Sequence, residues 1–137
     1  MFPERPGSGR AGSSEKMRVA LTYNLKKEIG EAEGLPEDFY AECDDPETVE
    51  AVRDALKERH GDIVMVEADE DAFEKFRALR PDIVFNMAEG VWGDSRESQI
   101  PSILEMLRIP YTGSNPLTLA MCLNKARAMV ETLKEVL

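Results

Sequence analysis

Short apolar runs alternate with helix-spaced apolar positions along most of this chain. Three runs rich in aliphatic and β-branched residues, at 17–23, 62–67 and 83–85, predict buried strands. Between them, apolar residues recur with the spacing of amphipathic helices. Alternating strands and helices are typical of a parallel sheet covered on both faces. The predicted fold class is therefore α/β, a three-layer α/β/α arrangement around a mainly parallel sheet of about four strands.

Capping residues predict where the first two helices begin and end. Asp45 followed by Pro46 predicts the start of the first helix, and Gly61 predicts its end. We expect Asp69 to cap the second helix and His60 to be an exposed helix-end residue. The positions expected to be buried are Val49, Val52, Ala55, Leu56, Phe73, Phe76 and Leu79.

The third predicted strand leads into a glycine-containing, acid-rich loop that includes Gly90. Loops at the carboxyl ends of parallel strands are where α/β proteins bind ligands. A third helix follows, with Pro101 in its first turn and Ser98 or a neighbour as its cap. The extended piece at 109–111 predicts a fourth strand whose end faces the same edge. The apolar positions of the third helix are Ile100, Ile103, Leu104 and Leu107.

The two ends of the chain differ from its middle. Residues 1–16 contain eight Gly, Ser or Pro and predict a disordered extension, so the α/β domain is expected at 17–123. A helix is predicted to begin at Asn115, with an interruption near Asn124, and residues 124–137 are expected to form a helix leading toward a further domain. Its apolar stripe includes Met129 and Leu133, and we expect it to fold back over the sheet or to pair two copies as a homodimer.

Charge and cysteine usage narrow the possible functions. With 17 Lys and Arg against 27 Asp and Glu, the net charge of −10 argues against nucleic acid and anionic membrane partners, so a small ligand is expected. Cys43 and Cys122 lack the spacing of a metal site or a disulfide framework. The sequence contains no membrane-spanning run and no signal-peptide core, which predicts a cytoplasmic protein.

Residues 24–48 hold nine acidic and two basic side chains. A solvated acidic loop is one interpretation, and carboxylates that receive a substrate ammonium group are the other.

The chemistry of the chain is indicated by a resemblance. No P-loop, GxGxxG or CxxC motif is present, and no set of nucleophile, base and orienting group can be defined. From Val84 to Lys125, the acid-rich glycine loop, the SQIPSILEML helix, the IPYTGS turn and the LNK tripeptide resemble the N-terminal domain of D-alanine:D-alanine ligases of the ATP-grasp superfamily. The resemblance covers about 40 residues. It implies a Rossmann-like, pre-ATP-grasp fold from Met17 onward.

The resemblance also implies a function and site residues. The chain would be the substrate-binding domain of an ATP-dependent carboxylate–amine ligase of peptidoglycan biosynthesis, which joins small amino acids or dipeptides. Glu89 and Gly90 would contact the substrate, although Glu89 could equally be a solvent-facing loop acid. Lys125 would reach ATP phosphates only with the ATP-binding domain that this chain lacks. ATP and Mg would serve the full-length ligase, and the chain alone is expected to bind neither and to be inactive, with no catalytic residue and no metal site of its own.

Several positions depart from the family pattern. Tyr23 and Asn24 replace the glycine pair that usually follows the first strand, and Ala88-Glu89-Gly90 stands where Leu-His-Gly is common. Asn124 occupies a position where Asp is usual. Arg108 occupies a glycine position, where a left-handed backbone conformation costs a residue with a Cβ about 1 kcal/mol.

A second interpretation is a stand-alone α/β binding or interaction module without ligase activity. The coding sequence after Leu137 would discriminate between the two, because only the ligase interpretation predicts an ATP-binding domain in frame. We expect Trp92 to pack rather than to act as a lid. Met121, Cys122 and Met129 are expected in the core or in an interface.

Overall fold

The computed structural model describes residues 16–25, 43–90 and 92–136. These segments form three strands and five α-helices, which confirms the predicted α/β class. In chain order they are β1 (Val19–Tyr23), α1 (Pro46–His60), β2 (Ile63–Glu67), α2 (Ala72–Leu79), β3 (Ile83–Asn86), α3 (Gln99–Leu107), α4 (Pro116–Leu123) and α5 (Lys125–Val136). The predicted extension at 1–16 lies outside the described residues except for Lys16, as does most of the acidic segment 24–48.

The sheet is parallel and has β1 at its centre. β1 pairs with β2 from Val19 opposite Ile63 to Tyr23 opposite Glu67, and it pairs with β3 on its other side. The strand order is therefore β2–β1–β3. After β2 the chain passes β1 to reach the opposite edge of the sheet.

The fourth predicted strand is reduced to a single parallel bridge between Val84 and Tyr111. The Val84 N–H donates to the Pro110 carbonyl at 2.9 Å, and the Thr112 N–H donates to the Val84 carbonyl at 2.9 Å. Pro110 has no N–H to extend the ladder. On the other side, the Asn86 N–H donates to the hydroxyl of Thr112 at 3.1 Å instead of to a backbone carbonyl.

Helices cover both faces of the sheet because the residues of β1 alternate between them. Val19 and Leu21 face α1, which buries Val49 against them. Ala20 faces the opposite side, where α2 and α3 bury Phe76 and Leu104 completely. Full burial of a side chain of this size contributes about 1.5–3 kcal/mol. The three layers thus follow from the period-2 pattern of the central strand.

Three predicted details of the first two helices are wrong. Ala55 is exposed on α1, whereas Val52 and Leu56 are partly buried as expected. α2 begins at Ala72 rather than just after Asp69, because the Asp69 carboxylate accepts from the Asp71 N–H at 3.0 Å and forms a turn before the helix. His60 ends α1 and is partly buried, so the expected exposure is wrong.

The ends of α1 and α3 follow the sequence signals. Pro46 begins α1, and Gly61 ends it with φ 82° and an N–H donated to Lys57. Pro101 lies in the first turn of α3, and Ser98 precedes that helix although its hydroxyl donates to Ser95 instead of capping it. Arg108 ends α3 in the left-handed conformation predicted for its position, with φ 57° and ψ 42°.

The last two helices form a separate pair beside α3. Asn115 caps α4 by accepting from the Thr118 N–H at 2.9 Å, and the break at Asn124 confirms the predicted interruption. α5 packs against α4, and its apolar stripe is exposed, with Met129 at 66% and Leu133 at 56%. The expected return of this stripe over the sheet is therefore not seen. The predicted domain boundary near 123–124 coincides with this break but stays a prediction.

Candidate functional site

The strand order places a crevice at the carboxyl edge of the sheet. From β1 the chain runs through α1 to β2 on one side, and then through α2 to β3 on the other side. After β1 the chain continues to β2 on one side of the sheet, whereas after β3 and α3 it continues to Tyr111, which pairs with the outer side of β3. The connections from the neighbouring strands β1 and β3 thus run in opposite directions, and open α/β sheets bind ligands at such a switch point. The loop after β3, with Glu89 and Gly90, emerges there. The topology thus brings the predicted substrate loop to the end of the central strand.

Asn24, directly after β1, joins the ends of all three strands. Its side-chain N–H donates to the carbonyl of Ala68, just after β2, at 2.8 Å. Its Oδ1 accepts from the N–H of Gly90, after β3, at 2.9 Å. Only 3% of Asn24 is exposed. Buried hydrogen bonds of this kind hold a loop in one place, because breaking them leaves polar groups without partners.

Asp44 ties the start of α1 to the same point. Its carboxylate accepts from the Asn24 N–H at 3.0 Å, and its own N–H donates to the Asn24 carbonyl at 2.6 Å. Burial raises the pKa of the Asp44 carboxyl above its ordinary value, the hydrogen bond from Asn24 opposes that rise, and the charge of Asp45 adds to it. A carboxylate is therefore held close to the candidate crevice.

The loop after β3 is fixed by backbone contacts. The Met87 N–H donates to the Thr22 carbonyl at 2.8 Å, and the Ala88 N–H donates to the side chain of Asn86 at 3.2 Å. The Thr22 hydroxyl is buried and has no hydrogen-bond partner within the described part of the chain. The loop therefore follows the end of β1 closely from Met87 to Gly90.

A second group of polar side chains lies at the end of β2. Burial raises the pKa of the Tyr23 phenol, and the carboxylate of Glu67 raises it further while Lys75 opposes the rise. Lys75 pairs with Asp69. Acids, a phenol and an ammonium group are thus close together beside the crevice.

The structure separates the predicted site residues into two groups. Glu89 is exposed and Gly90 is buried, and both lie at the carboxyl edge next to Asn24. Lys125 is an exposed residue at the first position of α5, a helix that packs against α4. Trp92 is 65% exposed, so the predicted packing of its side chain is wrong.

The cysteines and methionines considered in the sequence are not core residues. Cys122 and Met129 are exposed, whereas Cys43 and Met121 are partly buried. Within the described residues, neither Cys43 nor Cys122 forms a disulfide.

The search for a metal site and for cavities covers only the described residues. Within 16–25, 43–90 and 92–136, no group of three or more His, Cys, Asp or Glu side chains could hold a metal ion. Two cavities lined by described residues lie away from the candidate crevice. One, of about 500 Å³, lies at the opposite edge between Arg80 and Arg108, and the other, of about 390 Å³, lies between α4 and α5.

Asn24 and Asp44 are the site residues that sequence reasoning missed. In the sequence, Asn24 stands out only because it replaces a glycine of the family pattern. A polar residue directly after a buried central strand is the signal that could have identified it, because its side chain must find partners at a buried strand end. No sequence signal pairs Asp44 with it, since 19 positions separate the two residues along the chain.

Comparison with known proteins identifies relatives of this chain. The D-alanine–D-alanine ligase of Ruegeria pomeroyi is 38% identical over 74 residues, which are 54% of this chain and 24% of that protein. The ligase of the same name from Beijerinckia indica is 38% identical over 78 residues, 57% of this chain and 25% of that protein. The one from Azorhizobium caulinodans is 40% identical over 76 residues, 56% of this chain and 24% of that protein.

The chain matches about a quarter of the length of these curated relatives. No family model matches the chain, and no solved structure matches it. None of the helices in the described segments is long and apolar enough to cross a membrane. Over about half of its own length, the chain is homologous to D-alanine–D-alanine ligases, as its sequence motifs predicted.

Proposed function

We propose that this chain is the N-terminal, amino-acid-binding domain of a cytoplasmic, ATP-dependent carboxylate–amine ligase of the D-alanine–D-alanine type, with an ATP-grasp domain elsewhere in the full-length protein. The homology to ligases of that name supports the reaction class. The observation that carries the site is the bond from Gly90 to Asn24, which holds the loop with Glu89 at the switch point of the sheet. The proposed domain comprises 17–123, and 124–137 leads toward the ATP-grasp domain.

Glu89 has the chemistry to receive the ammonium group of an amino acid. A carboxylate accepts charge-assisted hydrogen bonds, which are about twice as strong as neutral ones. Its side chain is exposed at the carboxyl edge while the next residue, Gly90, is buried and bonded. A substrate can thus approach the carboxylate while the backbone beneath it stays in place. In this proposal the substrate is a small amino acid or a dipeptide with a free amine.

ATP and Mg²⁺ would be bound mainly by the other domains of a full-length ligase. Lys125 is this chain's proposed contact to the ATP phosphates, since it is exposed and begins α5. ATP supplies the activation of a carboxylate that peptide-bond formation requires. The residues of this chain bind and orient the amino acid.

The proposal predicts a specific kinetic effect of Glu89→Gln in a protein that carries this chain together with its ATP-binding domains. Loss of a charged hydrogen-bond partner costs about 1.5–3 kcal/mol, so KM for the amino acid should rise about 10- to 100-fold. The kcat should change little, because the contact is made equally in the ground state and the transition state. Steady-state kinetics with the amino acid as the varied substrate measures both constants.

Glu58→Gln is the matched control, because Glu58 is an exposed acid on α1. It should leave KM unchanged. If the KM of Glu89→Gln equals that of the control, Glu89 is a solvent-facing acid that does not bind the substrate.

A further inference from the structure

Asn24 makes four hydrogen bonds at the point where the strand ends meet. Its carboxamide donates to Ala68 and accepts from Gly90, and its backbone exchanges two bonds with Asp44. The orientation of the carboxamide follows from chemistry, because the Ala68 carbonyl can only accept and the Gly90 N–H can only donate. A side chain that both donates and accepts is needed here.

Gly90 is confined on its other side by the backbone of Arg96. A Cβ at Gly90 would lie 2.5 Å from the Arg96 carbonyl oxygen and 2.7 Å from its carbonyl carbon. The backbone at Gly90, with φ 75°, is therefore held between the Asn24 side chain and a neighbouring turn. Glu89 is covalently next to this fixed point, so the position of its backbone depends on the Asn24 bond.

We infer that Asn24 is a positioning residue for the amino-acid site: its Oδ1 holds Gly90 and thereby sets where Glu89 presents its carboxylate. The inference rests on the proposed function for the identity of the ligand. The bond to Gly90, rather than the bond to Ala68, carries this role. Asn24 itself is buried and acts without contacting the substrate.

Two variants separate the two side-chain bonds. Asn24→Leu has a similar size but removes both bonds, whereas Asn24→Asp keeps an oxygen that accepts from Gly90 and replaces the donation to Ala68 with an oxygen that repels the Ala68 carbonyl. Amide hydrogen exchange by NMR measures the protection of the Gly90 N–H directly. The Met87 N–H is the internal reference, because it is bonded to Thr22 and not to Asn24. We expect Gly90 exchange to accelerate at least about tenfold relative to Met87 in Asn24→Leu, and to stay near the wild-type ratio in Asn24→Asp.

The same samples are then titrated with D-alanine, and the amide shifts give the affinity. This measures whether a change in the loop changes ligand binding. We expect Asn24→Leu to weaken binding about tenfold. Asn115→Asp is the control, because Asn115 also accepts one backbone N–H but does so within its own helix, α4. It should leave both readouts unchanged.

The outcomes distinguish the inference from the proposed function. If the wild-type chain does not bind D-alanine, the proposed function fails, while the ratio of Gly90 to Met87 exchange still decides whether Asn24 holds the loop. If Gly90 and Met87 accelerate together in Asn24→Leu, or D-alanine binds that variant as tightly as the wild type, the inference is overturned. If Asn24→Leu does not fold, Asn24→Ser replaces it, because the shorter serine hydroxyl does not reach Gly90.

Discussion

Gly90 occupies a position where any side chain would meet backbone atoms. The Cβ of an alanine there would lie 2.5 Å from the Arg96 carbonyl oxygen, in a conformation with φ 75° that residues with a Cβ rarely adopt. Gly113 has a similar backbone conformation, with φ 99°, but a Cβ at Gly113 would meet no atom within 4 Å in the described part of the chain. Alanine variants of the two glycines therefore separate the free-energy cost of the backbone conformation from that of steric overlap.

We predict that Gly90→Ala is more destabilising than Gly113→Ala. The unfavourable backbone conformation costs each variant about 1–2 kcal/mol. Overpacking against the Arg96 backbone adds about 1–3 kcal/mol in Gly90→Ala alone. Urea unfolding of the two variants and the wild type measures the difference. Equal losses in the two variants would contradict the close contact between Gly90 and Arg96.

At the scale of single residues, the sequence predicted a left-handed backbone conformation only where the chain departs from the family pattern. Arg108 was expected to be left-handed because it occupies a glycine position of the family pattern, and it is. Arg80 has the same conformation, with φ 46°, and no pattern predicted it. Its guanidinium donates to the carbonyl of Leu107 at 2.8 Å, a tertiary contact between the ends of α2 and α3 that no local signal encodes.

At the scale of elements, strong periodicity predicted all three strands and the helices between them. Two of the errors have a local cause. Asp69 forms a turn instead of capping α2, and the fourth strand ends early because Pro110 lacks an N–H. The apolar stripe on α5 was predicted correctly, but periodicity could not say what covers it.

We predict that α5 mediates self-association of this chain. Met129, Val130 and Leu133 are each more than half exposed, and burying such apolar surface contributes about 25 cal/mol per Å². Sedimentation equilibrium should give twice the chain mass for the wild type, and the single chain mass for Leu133→Glu. Thr132→Glu is the control, because it adds the same charge next to the stripe and should remain dimeric. A wild-type monomer would contradict the predicted homodimer.

At the scale of the whole molecule, the candidate site is assembled from segments far apart in sequence. Asn24, Asp44, Ala68 and Gly90 meet only because β1 is central and β2 and β3 flank it. The sequence predicted Glu89 and Gly90 as site residues through a resemblance, but it could not predict the bonds that hold them. Those bonds depend on the order of strands in the sheet, which local patterns do not encode.

The most direct test of the proposed amino-acid site is an NMR titration of the isotope-labelled wild-type chain with D-alanine. We predict that the largest amide shifts occur at Gly90 and at its neighbour Glu89, with smaller shifts at Asn24. Gly61, at the other end of the sheet after α1, should not shift. Saturable shifts confined to the carboxyl edge would support an amino-acid site there. Unchanged spectra at saturating ligand, or shifts centred elsewhere on the chain, would contradict it.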